Sequence, residues 1–264
     1  MTVAYTAYGN YWIIKPYLYI SPYFVMAAIA TIAAIAITYF EFRRRGLPRK
    51  HLVWLSILIY LFMGGFARLF YSLGPWSWGE YSSLSERFID MFTLEPGMVF
   101  YGGLIGGLIA ILIYARIRKL NFWRYADAWA PAGGLVLFFA RIGCFFSGCC
   151  YGIVSRINLP WLLQTEAGPI HPTQLYSSIA GMLVFITATE LRYRQSAWKL
   201  FDGYVMLWTL AAYAVLRFLI EFMRYYDFRF LWLTTSQYIS IALLVFCAVL
   251  LAVKYRRDST SRRA

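Results

Sequence analysis

Arg141 is the residue of this sequence whose chemistry is easiest to interpret. It lies in residues 130–152, a stretch that is otherwise apolar or small. A guanidinium keeps its proton in a protein, so it needs an anion, a dipole or water around it. Inside a membrane the charge is costly unless it is compensated, and the usual partners of arginine are phosphates and carboxylates. We therefore expect Arg141 to bind an anion.

A second group of charges lies in residues 216–224, another apolar stretch. Arg217 and Glu221 are four residues apart, so on a helix they share a face and can pair. Arg224 extends that face. Two interpretations stay open: a self-neutralised structural pair, or a column with net positive charge that also receives an anion. Arg68, in a further apolar run, is expected to snorkel outward.

His171 is one of only two histidines, and it begins the motif His-Pro-Thr-Gln-Leu-Tyr (171–176). A lone histidine is commonly a hydrogen-bonded structural group, but its ordinary pKa also suits a general base. The sequence leaves both roles open for His171.

The segment Tyr101-Gly-Gly-Leu-Ile-Gly-Gly107 repeats glycine at intervals of four. Small residues at this spacing are typical of closely packed membrane helices. Glycine also lets a ligand such as a lipid headgroup approach the backbone. The spacing favours packing and leaves the second role open.

Three of the four cysteines cluster, at Cys144, Cys149 and Cys150. This spacing lacks the C-x-x-C pair and the nearby histidines typical of zinc sites, so no metal site is predicted. A disulfide between the adjacent Cys149 and Cys150 and a set of inert small thiols are the alternatives.

These residues must be positioned by membrane helices. Of the 264 residues, 61% are hydrophobic and only 14% are charged, whereas about a quarter are charged in soluble domains. Several apolar runs reach the roughly 20 residues that cross a bilayer as a helix. The sequence predicts an all-α polytopic membrane protein with about seven transmembrane helices. Their predicted spans are residues 17–40, 52–73, 97–116, 126–146, 172–190, 203–223 and 236–253.

The net charge of +13 is distributed unevenly between the loops. The segments on one side, 41–51, 116–124, 192–199 and 254–264, hold 17 of the 25 Lys and Arg residues, and the opposite loops hold 5. The positive-inside rule then places the N-terminus outside and the C-terminus in the cytoplasm. The basic charge contacts anionic membrane lipids, and nucleic acid is not an expected partner. We predict one membrane domain, residues 1–253, followed by a basic cytoplasmic tail, residues 254–264, of which residues 256–264 are expected to be disordered.

Five motifs in order resemble those of the prolipoprotein diacylglyceryl transferases. They are Tyr-Gly-Gly-Leu-Ile-Gly (101–106), Ala-Asp-Ala-Trp-Ala-Pro (126–131), Arg-Ile-Gly-Cys-Phe-Phe-Ser-Gly-Cys-Cys-Tyr-Gly (141–152), His-Pro-Thr-Gln-Leu-Tyr (171–176) and Arg-Phe-Leu-Ile-Glu-Phe-Met-Arg (217–224). The resemblance covers about residues 20 to 253. It implies an enzyme of the bacterial inner membrane that moves a diacylglyceryl group from phosphatidylglycerol to the lipobox cysteine of a preprolipoprotein. Glycerol 1-phosphate is the by-product, and the active site faces the outer, periplasmic side.

The resemblance also implies which residues form the site. The catalytic set is Arg141, Arg217, Glu221, His171 and Tyr101. The substrate-binding set is Tyr23, Gly102, Gly103, Asp127, Cys144, Ser147, Gly152, Gln174, Tyr176 and Arg224. No metal and no organic cofactor is implied.

Four positions depart from the family's usual motifs. Tyr101 and Ser177 stand where histidine and glutamate are usual, and Cys144 and Cys149 stand where asparagine and an acidic residue are usual. The arginines remain, so the lipid-donor half of the site is retained. Two alternatives stay open: a phospholipid-dependent transferase with another acceptor, and a non-catalytic lipid-binding protein on the same fold.

The expected chemistry follows from charge. Arg141 and Arg217 would hold the phosphate and offset the charge that develops on the leaving oxygen, while Glu221 orients Arg217. A free thiol, with a pKa of about 8.5, supplies little thiolate at neutral pH. His171 or Tyr101 could act as its base, or the cationic site could lower the thiol pKa.

Overall fold

The computed structural model describes residues 2–6, 9–15, 18–74, 99–157, 159–165, 168–225 and 231–261, with the isolated residues 83, 85, 86 and 89. Seven long helices occur within these residues. They are α1 (Pro22–Arg44), α2 (Arg49–Leu73), α3 (Phe100–Ile117), α4 (Phe122–Phe146), α5 (Thr173–Arg194), α6 (Tyr204–Glu221) and α7 (Thr235–Ser261).

Each predicted span coincides with one of these helices. Six of them, all but α5, are long and apolar enough to cross a membrane. The more polar α5 is 22 residues long and carries Glu190, Arg192 and Arg194 near its end. The chain is a mostly helical, multi-pass membrane protein, as predicted.

The prediction that residues 256–264 are disordered is wrong where the structure describes them. Helix α7 continues to Ser261, and the hydroxyls of Ser259 and Thr260 donate to the carbonyl of Arg256 at 2.8 and 2.9 Å. Extending a formed helix adds a hydrogen bond per residue without a new nucleus. Polarity therefore ends the apolar run but does not end the helix.

Short strands complete the fold, and the sequence did not predict them. An N-terminal antiparallel sheet has the order β1 (Thr2–Thr6), β2 (Gly9–Lys15), β3 (Leu18–Ile20). Between α4 and α5, β4 (Leu163–Thr165) pairs antiparallel with β5 (Gly168–Ile170). This hairpin leads directly into His171.

The chain forms two compact units. The small unit is Tyr39–Ala126, and the large unit combines Met1–Thr38 with Asp127–Ala264. In the small unit α2 and α3 pack so closely that a Cβ added to Gly102 would lie 2.4 Å from the carbonyl oxygen of Phe66. The packing interpretation of the glycine repeat is thus correct at Gly102, where α2 occupies the space that a bound headgroup would need.

In the large unit α4 and α5 cross at two glycines. A Cβ added to Gly134 would lie 2.5 Å from the backbone nitrogen of Phe185, and one added to Gly181 would lie 2.7 Å from that of Phe138. Only glycine permits this approach. The crossing holds α5 against the part of α4 that leads to Arg141.

Candidate active site

Arg141 of α4 and Arg217 of α6 line the same cavity. The other residues of its wall come from α4, α5 and α6: Leu137, Ser177, Ala180, Val184, Tyr213, Leu216 and Ile220. The two arginines therefore flank a small cavity, of about 10 Å³, whose wall is mostly apolar. A low-polarity wall strengthens their attraction for an anion, because screening by water is reduced.

The Arg141 guanidinium is available for a ligand. Within the described part of the chain, it forms no ion pair, and no carbonyl or hydroxyl accepts a hydrogen bond from it. The side chain is only partly exposed. A half-buried guanidinium without a protein partner is poised for an anion, since its five donors form a rigid fork that suits phosphate.

Arg217, Glu221 and Arg224 form the charged column that their spacing predicts. Arg217 Nη1 lies 2.5 Å from Glu221 Oε2, and Arg224 Nε lies 4.0 Å from the same oxygen. Glu221 is fully buried, while the side chains of Arg217 and Arg224 are 8% and 13% exposed. One carboxylate between two arginines leaves a net charge of +1 on the column.

Polar residues at the start of α7 support this column, and sequence reasoning missed them. The Thr234 hydroxyl donates to Glu221 Oε1 at 3.0 Å, and Arg217 Nη2 donates to Ser236 Oγ at 3.1 Å. The Gln237 side chain accepts from the Thr234 backbone N–H at 2.9 Å. Thr-Thr-Ser-Gln before an apolar run predicts a helix start. It does not predict that Thr234 contacts Glu221.

Gly152 lies where three chain segments meet. Its N–H donates to the His171 carbonyl at 3.0 Å, and the next N–H, of Ile153, donates to the Met223 carbonyl at 2.9 Å. A Cβ at Gly152 would lie 2.4 Å from the Met223 oxygen and 2.7 Å from the His171 oxygen. Glycine is required here because the two carbonyls leave no space for a side chain. The loop after α4 is thereby fixed to the histidine motif and to the end of α6, next to Arg224.

His171 takes part in a hydrogen-bonded chain. Trp161 Nε1 donates to the Tyr176 hydroxyl at 3.0 Å, and that hydroxyl lies 3.2 Å from His171 Nδ1. A phenol oxygen has two lone pairs, so it can accept from both rings. When Nδ1–H donates to Tyr176, Nε2 of His171 is left as a proton acceptor.

Gln174 and Thr173 hold the cysteine loop. Gln174 Nε2 donates to the Cys149 carbonyl at 2.7 Å, and Thr173 Oγ1 donates to the Cys150 carbonyl at 2.9 Å. Gln174 is 1% exposed. Its amide nitrogen binds the loop backbone, and its predicted contact with the substrate stays a prediction.

The loop brings three thiols together. The Sγ atoms of Cys144, Cys149 and Cys150 all lie within 4.8 Å of one another, and all three are free thiols. Cys150 has a φ of 64°, and Gly148, two residues earlier, has a φ of 70°. Left-handed backbone at a residue other than glycine is strained and marks functional sites. This double turn is what folds Cys149 and Cys150 back onto Cys144.

The three thiols form hydrogen bonds with one another, and these bonds shift the pKa values of Cys149 and Cys150. Hydrogen bonds from Cys144 and Cys149 lower the pKa of the Cys150 thiol below its ordinary value, and the positive charges of Arg141 and Arg224 add to this effect. The pKa of Cys149 is raised, because its hydrogen bonds to the other two thiols favour the protonated form.

Tyr23 lies near this cluster, and Ser147 belongs to the chain segment that carries the three thiols. The start of α1 packs on α4, where a Cβ at Gly143 would lie 3.2 Å from Tyr23 Cα. Tyr23 is close enough to Arg141 and to the three thiols to interact with them electrostatically. The Ser147 hydroxyl is buried and has no hydrogen-bond partner among the described residues.

Asp127 does not join the cluster. It precedes Arg141 by about 21 Å along α4, at 1.5 Å per residue. Its carboxylate accepts from the N–H groups of Gly203 and Met206, at 2.8 Å each, and from Gln195 Nε2 at 2.7 Å. Asp127 thus caps the N-terminus of α6, a structural role, and the predicted substrate contact stays a prediction.

The remaining predicted residues belong to the small unit. Tyr101 is buried there beside Gly102, and Gly103 makes ordinary contacts with α2. Arg68 is 5% exposed and lies 5.6 Å from the centre of the Tyr71 ring. The expectation that Arg68 snorkels outward is therefore wrong, because a neighbouring aromatic face receives its charge.

The fold and the site define a multi-pass membrane protein in which two arginines line one cavity. The sequence model of the family described as prolipoprotein diacylglyceryl transferase matches residues 11–253. The chain belongs to this family, which confirms the resemblance.

Three relatives named phosphatidylglycerol–prolipoprotein diacylglyceryl transferase illustrate the match. The protein of Methylococcus capsulatus is 37% identical over 174 residues, which cover 62% of this chain and 64% of the relative. That of Trichormus variabilis is 33% identical over 76% of this chain and 74% of the relative. That of Campylobacter jejuni is 29% identical over 89% of this chain and 90% of the relative. The match thus spans just under two thirds of the first relative and nine tenths of the third.

Proposed function

We propose that this protein transfers a diacylglyceryl group from phosphatidylglycerol to the lipobox cysteine thiol of a preprolipoprotein and releases glycerol 1-phosphate. One observation carries the proposal: Arg141, without a partner among the described residues, shares a cavity with Arg217. Such a pair suits the phosphodiester of a lipid. Family membership and the names of the relatives support the same reaction.

An apolar groove beside the arginines supports a lipid donor. The groove has a volume of about 410 Å³ and lies between α5 and α6, with Trp208, Ala211 and Val215 in its wall. It shares Val184 and Leu216 with the arginine cavity. The acyl chain of a lipid would lie in this groove. The arginine cavity has a volume of only about 10 Å³, about one water molecule, so its side chains would move apart when the phosphate of the same lipid binds.

The arginines act on the leaving group. Attack at the glycerol carbon breaks its bond to a phosphate oxygen, and the negative charge on that oxygen grows in the transition state. Arg141 and Arg217 are preorganised to offset it, and such fixed donors are typically worth about 10²–10³ in rate each. Glu221 positions Arg217 through their 2.5 Å ion pair. Arg224 keeps the net charge of the column positive.

His171 is the proposed general base. With Nδ1 bound to Tyr176, its Nε2 can accept the thiol proton. Tyr101 remains a second proposed catalytic residue, in the small unit. Tyr23, Cys144, Ser147, Gly152 and Gln174 are proposed to shape the substrate site around Arg141.

The charge distribution also supports an orientation. We place the protein in the bacterial inner membrane, with its C-terminal end in the cytoplasm. The loop after α4, the hairpin β4–β5 and the end of α6 then face the periplasm, where a lipobox cysteine is accessible after translocation.

The test uses the full-length protein in vesicles that contain phosphatidylglycerol labelled in its acyl chains. The acceptor is a lipobox peptide, and the same peptide with serine in place of cysteine is the negative control. Arg141→Ala is compared with Arg156→Ala, a matched loss of one charge at an exposed loop position. The same variants are tested for rescue of a strain depleted of its own diacylglyceryl transferase.

The proposal expects label on the cysteine peptide only, normal transfer by Arg156→Ala, and about 10²–10³-fold slower transfer by Arg141→Ala. Release of glycerol phosphate without peptide labelling would replace the proposal by a transferase with another acceptor. Lipid binding without turnover would replace it by a non-catalytic lipid-binding protein.

A further inference from the structure

We propose that Cys144, Cys149 and Cys150 form a three-thiolate zinc site whose open fourth position binds and activates the acceptor thiol. The spacing of the cysteines in the sequence gave no reason to expect a metal. The folded loop changes this conclusion, because it places three sulfur donors on one small region of space. The proposal rests on the proposed transferase function for its role, but not for its existence as a metal site.

The geometry fits zinc. A tetrahedral zinc ion with Zn–S bonds of about 2.3 Å holds its sulfurs about 3.8 Å apart. Here the Sγ atoms lie within 4.8 Å of one another. Closure around the ion requires each sulfur to move inward by at most about 0.6 Å, which a cysteine achieves by a small rotation about χ1.

Specific contacts fix the conformation of the cysteine loop. Two left-handed residues, Gly148 and Cys150, turn the chain back. Hydrogen bonds from Gln174 and Thr173 then fix the carbonyls of Cys149 and Cys150. Backbone that is strained and held from outside is a feature of binding sites. The thiols are thus held near one another before any metal arrives.

The charge and exposure of the cluster favour an open, catalytic type of site. Zinc with three thiolates has a net charge of −1, and both Arg141 and Arg224 lie within electrostatic range of Cys150. Cys144 is buried, whereas Cys149 is exposed. One side of the cluster therefore faces outward. Three protein ligands with a fourth position left for water or substrate is the pattern of catalytic zinc sites.

The site would supply what the reaction needs, a thiolate at neutral pH. A thiol that binds zinc is deprotonated. The acceptor cysteine loses its proton to His171, and its sulfur becomes the fourth ligand. That sulfur then forms the C–S bond at the glycerol carbon, the C–O bond breaks, and the electron pair stays on the phosphate oxygen held by the arginines. The thioether product is a weaker ligand than a thiolate and leaves the metal.

The first measurement is metal content. The full-length protein is purified in detergent under anaerobic, reducing conditions, equilibrated with Zn²⁺, desalted and analysed by elemental mass spectrometry. Wild type is compared with Cys149→Ser, the gentlest change because this side chain is exposed, and with Cys144→Ser. Cys247→Ser is the matched control, since Cys247 is a fully buried thiol in α7, outside the cluster. Apparent Tm values confirm that each variant is folded.

The proposal expects about one zinc per chain in wild type and Cys247→Ser, and affinity lower by about a hundredfold or more in the cluster variants. Equal zinc content in wild type and Cys149→Ser would overturn it. Titration of the free thiols provides a second check: a disulfide among the three cysteines under these conditions would also overturn it.

The second measurement tests the role without requiring turnover. Co²⁺ replaces zinc as a coloured probe, and the lipobox peptide is added without lipid. A new sulfur-to-cobalt absorption with the cysteine peptide, absent with the serine peptide, supports binding at the fourth position. A spectrum that the cysteine peptide leaves unchanged would overturn the activating role.

Arg141→Ala separates the two proposals. This variant keeps all three thiols and Arg224, so it is expected to bind zinc, if more weakly than wild type, and to keep its spectral response, while transfer is slowed about 10²–10³-fold. Metal binding and a peptide response in a wild-type protein that transfers no lipid would mean that the proposed reaction fails while the metal site stands. Transfer that proceeds at the full rate in metal-free protein would mean that the proposed reaction stands and that zinc has no role in it.

Discussion

Replacing Gly152 by alanine is expected to slow transfer strongly, because this residue joins three parts of the site. The added Cβ would lie 2.4 Å from the Met223 carbonyl oxygen. Ordinary van der Waals contact begins near 3.4 Å, so one of the joined segments must move by about 1 Å. The cost is about 1–3 kcal/mol of stability, as for other overpacked positions.

The same displacement has a catalytic cost. The segments that move carry Arg224, His171 and the cysteine loop. A misplacement of about 1 Å can cost about 10²-fold in rate, since the reacting groups no longer align. We therefore expect Gly152→Ala to lower the rate of peptide labelling by up to about a hundredfold and to lower the apparent Tm.

Gly133→Ala is the matched control. Gly133 is an exposed position within α4, and nothing lies within 4 Å of its added Cβ. Alanine there removes backbone entropy from the unfolded chain and favours the helix by about 0.5–1 kcal/mol, so transfer should be unchanged. If Gly152→Ala matched Gly133→Ala in both rate and apparent Tm, the three-segment junction would not be the constraint described above.

Three further substitutions separate stability from chemistry. Arg141→Lys should leave the apparent Tm unchanged, because the guanidinium has no partner among the described residues. It should lower the rate of transfer about 10²-fold, because lysine lacks the planar fork of the guanidinium. An unchanged rate would exclude a bidentate contact with the phosphate. Glu221→Gln leaves Arg217 buried without its counterion and should destabilise the protein by about 3–5 kcal/mol in a denaturant titration, so an unchanged midpoint would count against the buried pair. Asp127→Asn should weaken the cap of α6 by about 1 kcal/mol without raising the KM for phosphatidylglycerol, and a raised KM would return Asp127 to the substrate site.

The helices could be read from the sequence because their signals are local. Each span is a run of apolar residues whose length fits a bilayer, and Arg217 and Glu221 pair because four residues bring side chains onto one helix face. The hairpin β4–β5 has only three residues in each strand, too few to show alternation. The sequence did not predict the last turns of α7, because the polar residues there lower the hydropathy but leave the helical conformation of the backbone intact.

The contacts of the site depend on the tertiary fold, and the sequence carries little trace of them. The spacing of the cysteines does not predict the left-handed turn at Gly148 and Cys150 that brings the thiols together. The sequence therefore gave no indication of a metal site. Asp127 occurs in a family motif, so it was assigned to the substrate. Its partners on α6 are 76 and 79 positions away, and only the folded chain shows that the motif position supports a helix end.

The length of α7 relates the protein to the thickness of its bilayer. Its 27 residues extend for about 40 Å, against a hydrocarbon core of about 30 Å. The surplus is at the end that carries Lys254, Arg256 and Arg257, so these cations reach the level of the lipid headgroups and resist vertical sliding. In a bilayer a few ångströms thicker or thinner, the helix can tilt or its arginines can re-extend. The depth of the Arg217–Glu221 pair, which contacts the other end of α7, would then follow that adjustment, so lipid chain length should tune how readily a donor headgroup meets the arginines.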